Sequence, residues 1–145
     1  MSGYGRNSKL AAYQSVSVHG NVAGADPHRL VLMLMDGVME RLAMARSCIE
    51  RKDIVRKAKL LHSCVTLLTE LRGSLNISRG GDLARNLSEL YDYMMRQLMR
   101  ANAENKIEYI KEVLSLLEEV RSAWVAIGPE VRQVTPAAAP AMAMR

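Results

Sequence analysis

Apolar residues recur at three- and four-residue intervals along four stretches of the chain, the spacing of helices that bury one face. In the first stretch Val31, Leu34, Val38, Leu42, Ala45 and Ile49 form the expected core face, and Leu32, Met35 and Met39 carry apolar character well beyond it. Asp26-Pro27 opens this helix, with Asp as N-cap and Pro at the first helical position, and the pattern runs to about Arg51. Lys52-Asp53 is a tight turn in which Asp53 caps a second helix, from about Ile54 to Leu75. Its expected inward residues are Ile54, Ala58, Leu61, Val65, Leu68 and Leu75, flanked by a second stripe of Leu60, Cys64, Leu67 and Leu71. The stretch from Asn76 to Gly81 breaks the pattern, as a Gly pair does, and Asp82 is the expected cap of a third helix ending near Asn102. There Leu83, Leu87, Leu90, Met94 and Leu98 make the core stripe, with Tyr91, Met95 and Met99 beside it. Asn105 is expected to cap a fourth helix, 106–127, with core residues Ile110, Val113, Leu117, Val120 and Trp124 and with Leu116 to one side. Gly128-Pro129 ends it.

No period-two alternation is sustained anywhere, and Leu, Met, Ala, Glu and Arg dominate, so the fold class is all-α. Four helices of roughly 20–26 residues joined by short links predict an antiparallel up-down-up-down four-helix bundle over residues 26–128. Residues 1–25 contain four glycines and no acidic side chain, and Leu10, Tyr13 and Val16 make one short apolar edge. They read as a flexible N-terminal arm with a short helix, able to dock on the bundle. Residues 129–145, rich in Ala and Pro, read as a disordered tail.

The net charge of +5 admits a polyanionic partner, but acids are interspersed with the bases along the helices and aromatic residues are few, so no nucleic-acid partner is expected. Cys48 and Cys64 sit inside helical patterns without metal-ligand spacing and read as buried thiols of a reducing cytosol. The opening MSGYGRNSK lacks an apolar signal core, and the longest apolar run, Leu30 to Met35, is too short to span a bilayer. A cytoplasmic protein without membrane insertion follows. His19, His28 and His62 stand apart from one another, and no di-iron, zinc-protease or phosphate-loop signature occurs. Gly80-Gly81 opens a helix, but Asp82 would repel an anion there. No enzyme activity, cofactor or metal is expected.

What remains is surplus apolar surface, rich in methionine, beyond what four helices hide from one another. It suits amphipathic helical segments of a partner. The candidate client-binding residues are Leu10, Tyr13, Val16, Leu32, Met35, Met39, Leu60, Leu67, Tyr91, Met95, Met99 and Leu116. A self-assembling structural bundle, or another kind of helix-binding adaptor, is the alternative reading.

The same residues resemble the FliS family of flagellin-specific export chaperones over about residues 10–127. The resemblance rests on Tyr13-Gln14-Ser15-Val16, on Pro27-His28-Arg29-Leu30 and on Met33-Leu34-Met35-Asp36-Gly37. It continues through Gly80-Gly81-Asp82-Leu83-Ala84-Arg85-Asn86-Leu87, Leu90-Tyr91-Asp92-Tyr93-Met94, Ala101-Asn102, Leu116-Leu117 and Arg121-Ser122-Ala123-Trp124, in order. Met35 stands where the family typically carries Tyr. The resemblance implies a helical bundle that binds the disordered C-terminal segment of flagellin in the cytosol, prevents its premature polymerisation and supports its delivery to the flagellar type III export gate. It implies a client that wraps the bundle and becomes helical on it, and an N-terminal arm that covers part of the same surface when no client is bound. In some members the anti-sigma factor of the flagellar regulon is also a partner. The chain itself is expected to be a monomer or a weak homodimer.

Overall fold

The computed structural model describes residues 26–128, and the expected arm (1–25) and tail (129–145) lie outside the described residues. Four helices account for nearly all of the described chain: α1 (Pro27–Arg51), α2 (Ile54–Gly73), α3 (Ile77–Glu104) and α4 (Ile107–Ile127). The fold is all-helical, and no strand occurs among the described residues.

Local chemistry sets most of the ends. The Asp26 side chain accepts the Arg29 N–H at 2.8 Å, with Pro27 in the first turn, and Asp53 accepts the Arg56 N–H at 3.3 Å. Between these helices Lys52 adopts a left-handed conformation, and its N–H closes on the last carbonyls of α1. Two expected caps are corrected. The third helix begins before the glycine pair, with Asn76 as N-cap accepting from Arg79 N–H at 3.1 Å. The chain then passes through a kink at Gly81 (φ 57°, ψ −135°), and the Asp82 carboxylate pairs with the Arg85 guanidinium. Asn105 does not cap α4. It is the left-handed C-cap of α3, a conformation Asn tolerates better than most residues, and α4 starts from Lys106 without a side-chain cap bond.

The core has one period throughout. The buried residues are Val31, Met35, Val38, Leu42, Ala45 and Cys48 on α1, and Lys57, Leu61, Cys64, Leu67, Leu68 and Leu71 on α2. On α3 they are Ala84, Tyr91, Met94, Gln97, Leu98 and Ala101, and on α4 Ile110, Val113, Leu117 and Trp124. Steps of three and four predominate along these sets, with adjacent pairs at Leu67-Leu68 and Gln97-Leu98, close to the 3.5-residue repeat of helices packed side by side in a bundle. This repeat corrects the expected core of α1, α2 and α3; on α2 the expected flanking residues Cys64, Leu67 and Leu71 are buried, while Ala58, Val65 and, just beyond the helix, Leu75 are only partly so. Met35 replaces Leu34, which is only partly buried, and Tyr91 replaces Leu90 in the same way. Leu83 and Ile54, expected inside, are exposed: Leu83 follows the Gly81 kink immediately, and Ile54 is the first residue of α2.

Each helix packs on the next, and α1 closes against α4. The Cys64 Sγ lies 3.7 Å from the Val38 carbonyl between α1 and α2. Between α2 and α3, Thr69 Oγ1 lies 3.4 Å from Met95 Sδ, Arg72 pairs with Asp92, and Lys57 Nζ donates to the Asn102 carbonyl at 2.9 Å and to the Asn105 side chain. Tyr93 and Gln97 of α3 both donate to the Glu112 carboxylate of α4, at 2.6 and 2.8 Å. Between α1 and α4, Arg121 grips Asp36 through two nitrogens at 2.6 and 3.3 Å. About two turns back towards the start of α1, the rings of His28 and Trp124 stack at 5.5 Å. Trp124 Nε1–H donates to the His28 carbonyl at 3.1 Å, and His28 Nε2 donates to the Trp124 carbonyl at 2.6 Å.

Candidate functional site

Folding distributes the expected client-binding residues unevenly. Leu10, Tyr13 and Val16 lie outside the described residues. Met35 and Tyr91 retain 0% and 2% of their exposure, so both belong to the core and offer no surface in this state; the expectation that they flank it is corrected. The reason is the 3.5-residue seam, which points these positions inward. Burial also pushes the Tyr91 hydroxyl far above its ordinary pKa, since the phenolate would be uncompensated there. Leu67 is almost as buried. Leu32, Met39, Leu60, Met95 and Leu116 are half-buried and pack against the core from outside, while Met99 is 65% exposed.

The half-buried residues fall on different seams of the bundle. Met95 and Met99 are one turn apart on α3, and Met95 meets Thr69 of α2, so this pair belongs to the α2–α3 side, whereas the Leu67 side chain lies against Gly37 of α1, on the α1–α2 side. Leu116 lies one turn beyond Glu112, the residue that holds Tyr93 and Gln97, and so faces the α3–α4 seam. Leu32 lies one turn from both His28 and Asp36, on the side of α1 turned to α4, and Met39 follows Asp36 on that side. The candidates therefore form a discontinuous apolar track around the bundle.

Polar fasteners lie beside this track. The Tyr93–Glu112–Gln97 cluster ties α3 to α4 next to the Leu116 face; the bond to Glu112 raises the Tyr93 hydroxyl pKa, and the Arg96 guanidinium lies 5.9 Å from the Tyr93 ring centre. The Asp36–Arg121 pair does the same for α1 and α4, and the carboxylate holds the guanidinium's pKa up. These bonds fix the helix faces without filling the spaces between exposed apolar side chains. Chemistry is otherwise sparse. Among the described residues no group of His, Cys, Asp and Glu is placed to hold a metal ion, and no helix is long and apolar enough to cross a membrane. Cys64 is fully buried, and burial pushes its thiol up to about 12 despite the nearby Arg41 charge, so it is not a nucleophile at neutral pH.

Sequence reasoning missed two features. Lys57 is a core residue, 2% exposed, because its ammonium ends on the carbonyl terminus of α3. No hydrophobicity pattern signals this. Exposed apolar side chains also occur where no client contact is expected, at Met44, Ile54, Val55, Ile77 and Val125.

Comparison with known proteins extends these observations. The profile of the family described as "Flagellar protein FliS" matches residues 9–131. The flagellar secretion chaperone FliSB of Pseudomonas aeruginosa is 44% identical over 118 residues, 81% of this chain and 94% of that protein. The flagellar secretion chaperone FliS of Salmonella typhimurium is 41% identical, covering 85% of this chain and 92% of its own length. FliS of Vibrio cholerae is 37% identical over 88% of this chain and 94% of its own. A crystal structure of a bacterial flagellar chaperone superposes with a TM-score of 0.67 over 82% of this chain and 96% of that one; at 15% identity it supports the fold alone. Matched along most of its length by the family profile and by several relatives well above 30% identity, the chain belongs to the FliS family of flagellar secretion chaperones.

Proposed function

We propose that this chaperone binds the disordered C-terminal segment of flagellin in the cytoplasm, keeps it from polymerising early and presents it to the flagellar type III export gate, without catalysing a reaction. The observation that carries this reading is the discontinuous apolar track of Leu32, Met39, Leu60, Met95, Met99 and Leu116 on the outside of a well-fastened bundle. A single pocket suits a compact ligand; a track spread over several seams suits an extended client that wraps the bundle and folds as it binds. An antiparallel up-down-up-down connection of the helices fits the pairings of His28 with Trp124, Lys57 with Asn102 and Thr69 with Met95, each joining the start of one helix to the end of another or keeping that register. In this reading residues 1–25 are an arm that uses Leu10, Tyr13 and Val16 to compete for or clamp the client, and residues 129–145 are a tail outside the binding unit. The anti-sigma factor of the flagellar regulon is a second candidate client.

Titration calorimetry with a C-terminal flagellin peptide tests the proposal. Met99→Glu places a charge on an exposed site and is expected to weaken binding about tenfold or more while leaving the thermal unfolding midpoint unchanged. Leu116→Glu is expected to weaken binding as well, with some loss of stability because the side chain is half-buried. Wild-type affinity in both variants would remove the track from the binding surface.

A further inference from the structure

The corner where α1 turns into α2 carries charge that the client track does not use. A cleft of about 240 Å³ opens there, lined by Met44, Ser47, Cys48, Arg51 and Arg56. The Arg51 guanidinium donates to the Ser47 hydroxyl and lies 3.5 Å from Cys48 Sγ, and the Arg56 guanidinium lies 3.8 Å from Met44 Sδ. A neutral hydroxyl, a thiol and a thioether are weak partners for two cations. Among the described residues neither guanidinium takes part in an ion pair. Six basic residues against two acidic ones between Arg46 and Lys59 leave +4, of which the charge of Lys57 is buried against the end of α3. Both acids are already engaged, Glu50 with Arg46 and Asp53 as the cap of α2. The interspersed acids and bases thus leave a local basic excess at this corner. Met44, Ile54 and Val55, at 40%, 46% and 69% exposure, border the same turn.

We propose that this corner docks an acidic, partly apolar segment of a partner protein, with a carboxylate seated between Arg51 and Arg56 and an adjoining apolar side chain on Met44, Ile54 and Val55. Two planar guanidiniums match a carboxylate geometrically, and the bordering apolar side chains favour a peptide over a free anion. Residues 1–25 contain no acidic side chain, and 129–145 contain only Glu130, which follows α4. The end of α4 is locked to the start of α1 by His28 and Trp124, and about 36 Å of α1 separates that end from Arg51. The acidic segment therefore comes from another polypeptide.

The test uses the full chain and a fluorescein-labelled peptide of repeated Glu-Glu-Leu units. Fluorescence anisotropy should report binding that weakens with salt, as expected for exposed charges. Arg51→Glu with Arg56→Glu should lower affinity about tenfold or more. Arg79→Glu with Arg100→Glu makes the same charge change at exposed positions on α3 and should alter affinity less than about twofold. The milder pair Arg51→Gln with Arg56→Gln should reproduce the loss with an unchanged melting curve. In the wild type, added peptide should shift the amide resonances of Ser47, Cys48, Arg51 and Arg56. Equal losses in the two charge-reversed variants, equal binding of a Gln-Gln-Leu peptide, or displacement by inorganic phosphate at concentrations comparable to the peptide would each overturn the proposal. So would a salt-sensitive dimer lost on reversal of Arg51 and Arg56, which would make the occupant a second copy. A parallel titration with the flagellin peptide should show client affinity retained in that variant; a parallel loss would assign the corner to the client and overturn a separate partner.

Discussion

Lys57 shows how a single side chain is decided by its surroundings. Its methylene stem crosses the α2–α3 seam and its ammonium meets the Asn102 carbonyl and the Asn105 side chain, at the negative end of α3. Replacing it with Met keeps the stem's bulk and removes the donor, leaving the end of α3 short of a partner. Lys57→Met is expected to cost about 1–3 kcal/mol, read from the urea midpoint. Cys64 makes the opposite case, a group silenced by burial. Its pKa is pushed up to about 12 from the ordinary thiol value of 9.0. Between those two pH values the unfolded chain has released the thiol proton and the folded chain keeps it, so the unfolded state gains from rising pH. Stability should be fully present below about pH 9 and fall by about 1.4 kcal/mol per pH unit for this proton above it. Melting curves from pH 7 to pH 11 check the sign. In a Cys48→Ala background, a thiol reagent should modify Cys64 only at the rate of unfolding; rapid native-state labelling would contradict its burial.

Among the elements, α3 is the one whose local sequence and final shape differ most. Its first turn is capped by Asn76, yet Gly81 interrupts it at φ 57° and ψ −135°, backbone space that L side chains rarely enter. A Cβ built at Gly81 meets no atom within 4 Å, so a substitution there is opposed by the backbone alone. Gly81→Ala is expected to cost about 1–3 kcal/mol or to straighten the kink. Gly73, the last residue of α2, has equally open surroundings and no positive φ. Gly73→Ala should therefore stabilise by about 0.4–1 kcal/mol through the unfolded chain. The pair, compared by thermal unfolding, separates backbone strain from side-chain crowding; similar effects at both sites would show that the kink carries no conformational demand.

For the molecule as a whole, the half-buried apolar residues are held in place by fasteners set beside them, chiefly Asp36–Arg121 and Tyr93–Glu112–Gln97. A client binding this surface finds helix faces already fixed and spends its ordering cost on itself. The proposed arm enters here. Three apolar residues gain about 1.5–3 kcal/mol each when fully buried. Ordering the segment that carries them costs roughly 1–2 kcal/mol per residue. Docking of such an arm would thus be weak enough for a client to displace. Tyr13→Ala should leave the melting midpoint of the bundle unchanged and alter flagellin-peptide affinity: tighter binding marks a competing lid, weaker binding a clamp, and an unchanged affinity excludes the arm from the site.

The sequence by itself determined that the chain is helical, where α1 and α2 begin, and nearly the whole core face of α4. Local signals suffice for these: Asp26-Pro27 and Asp53 bond to backbone within their own first turns, and α4 has a single apolar stripe opposite a charged face, so only one register buries it. The family was legible too, because its motifs are strings of residues. The core faces of α1 and α3 were not. Both helices carry more apolar residues than one face holds, so Leu34 and Met35, or Leu90 and Tyr91, compete for the same inward position with nothing local to choose between them. Packing against neighbouring helices made the choice by imposing a 3.5-residue seam, which took Met35 and Tyr91 out of the candidate site and left Met95, Met99 and Leu116 on it. The same holds for Lys57, whose partner 45 residues away in the chain is met only once the helices have come together; the charge at the α1–α2 corner lies in one short stretch of sequence, and only its cleft needed one helix to turn onto the next.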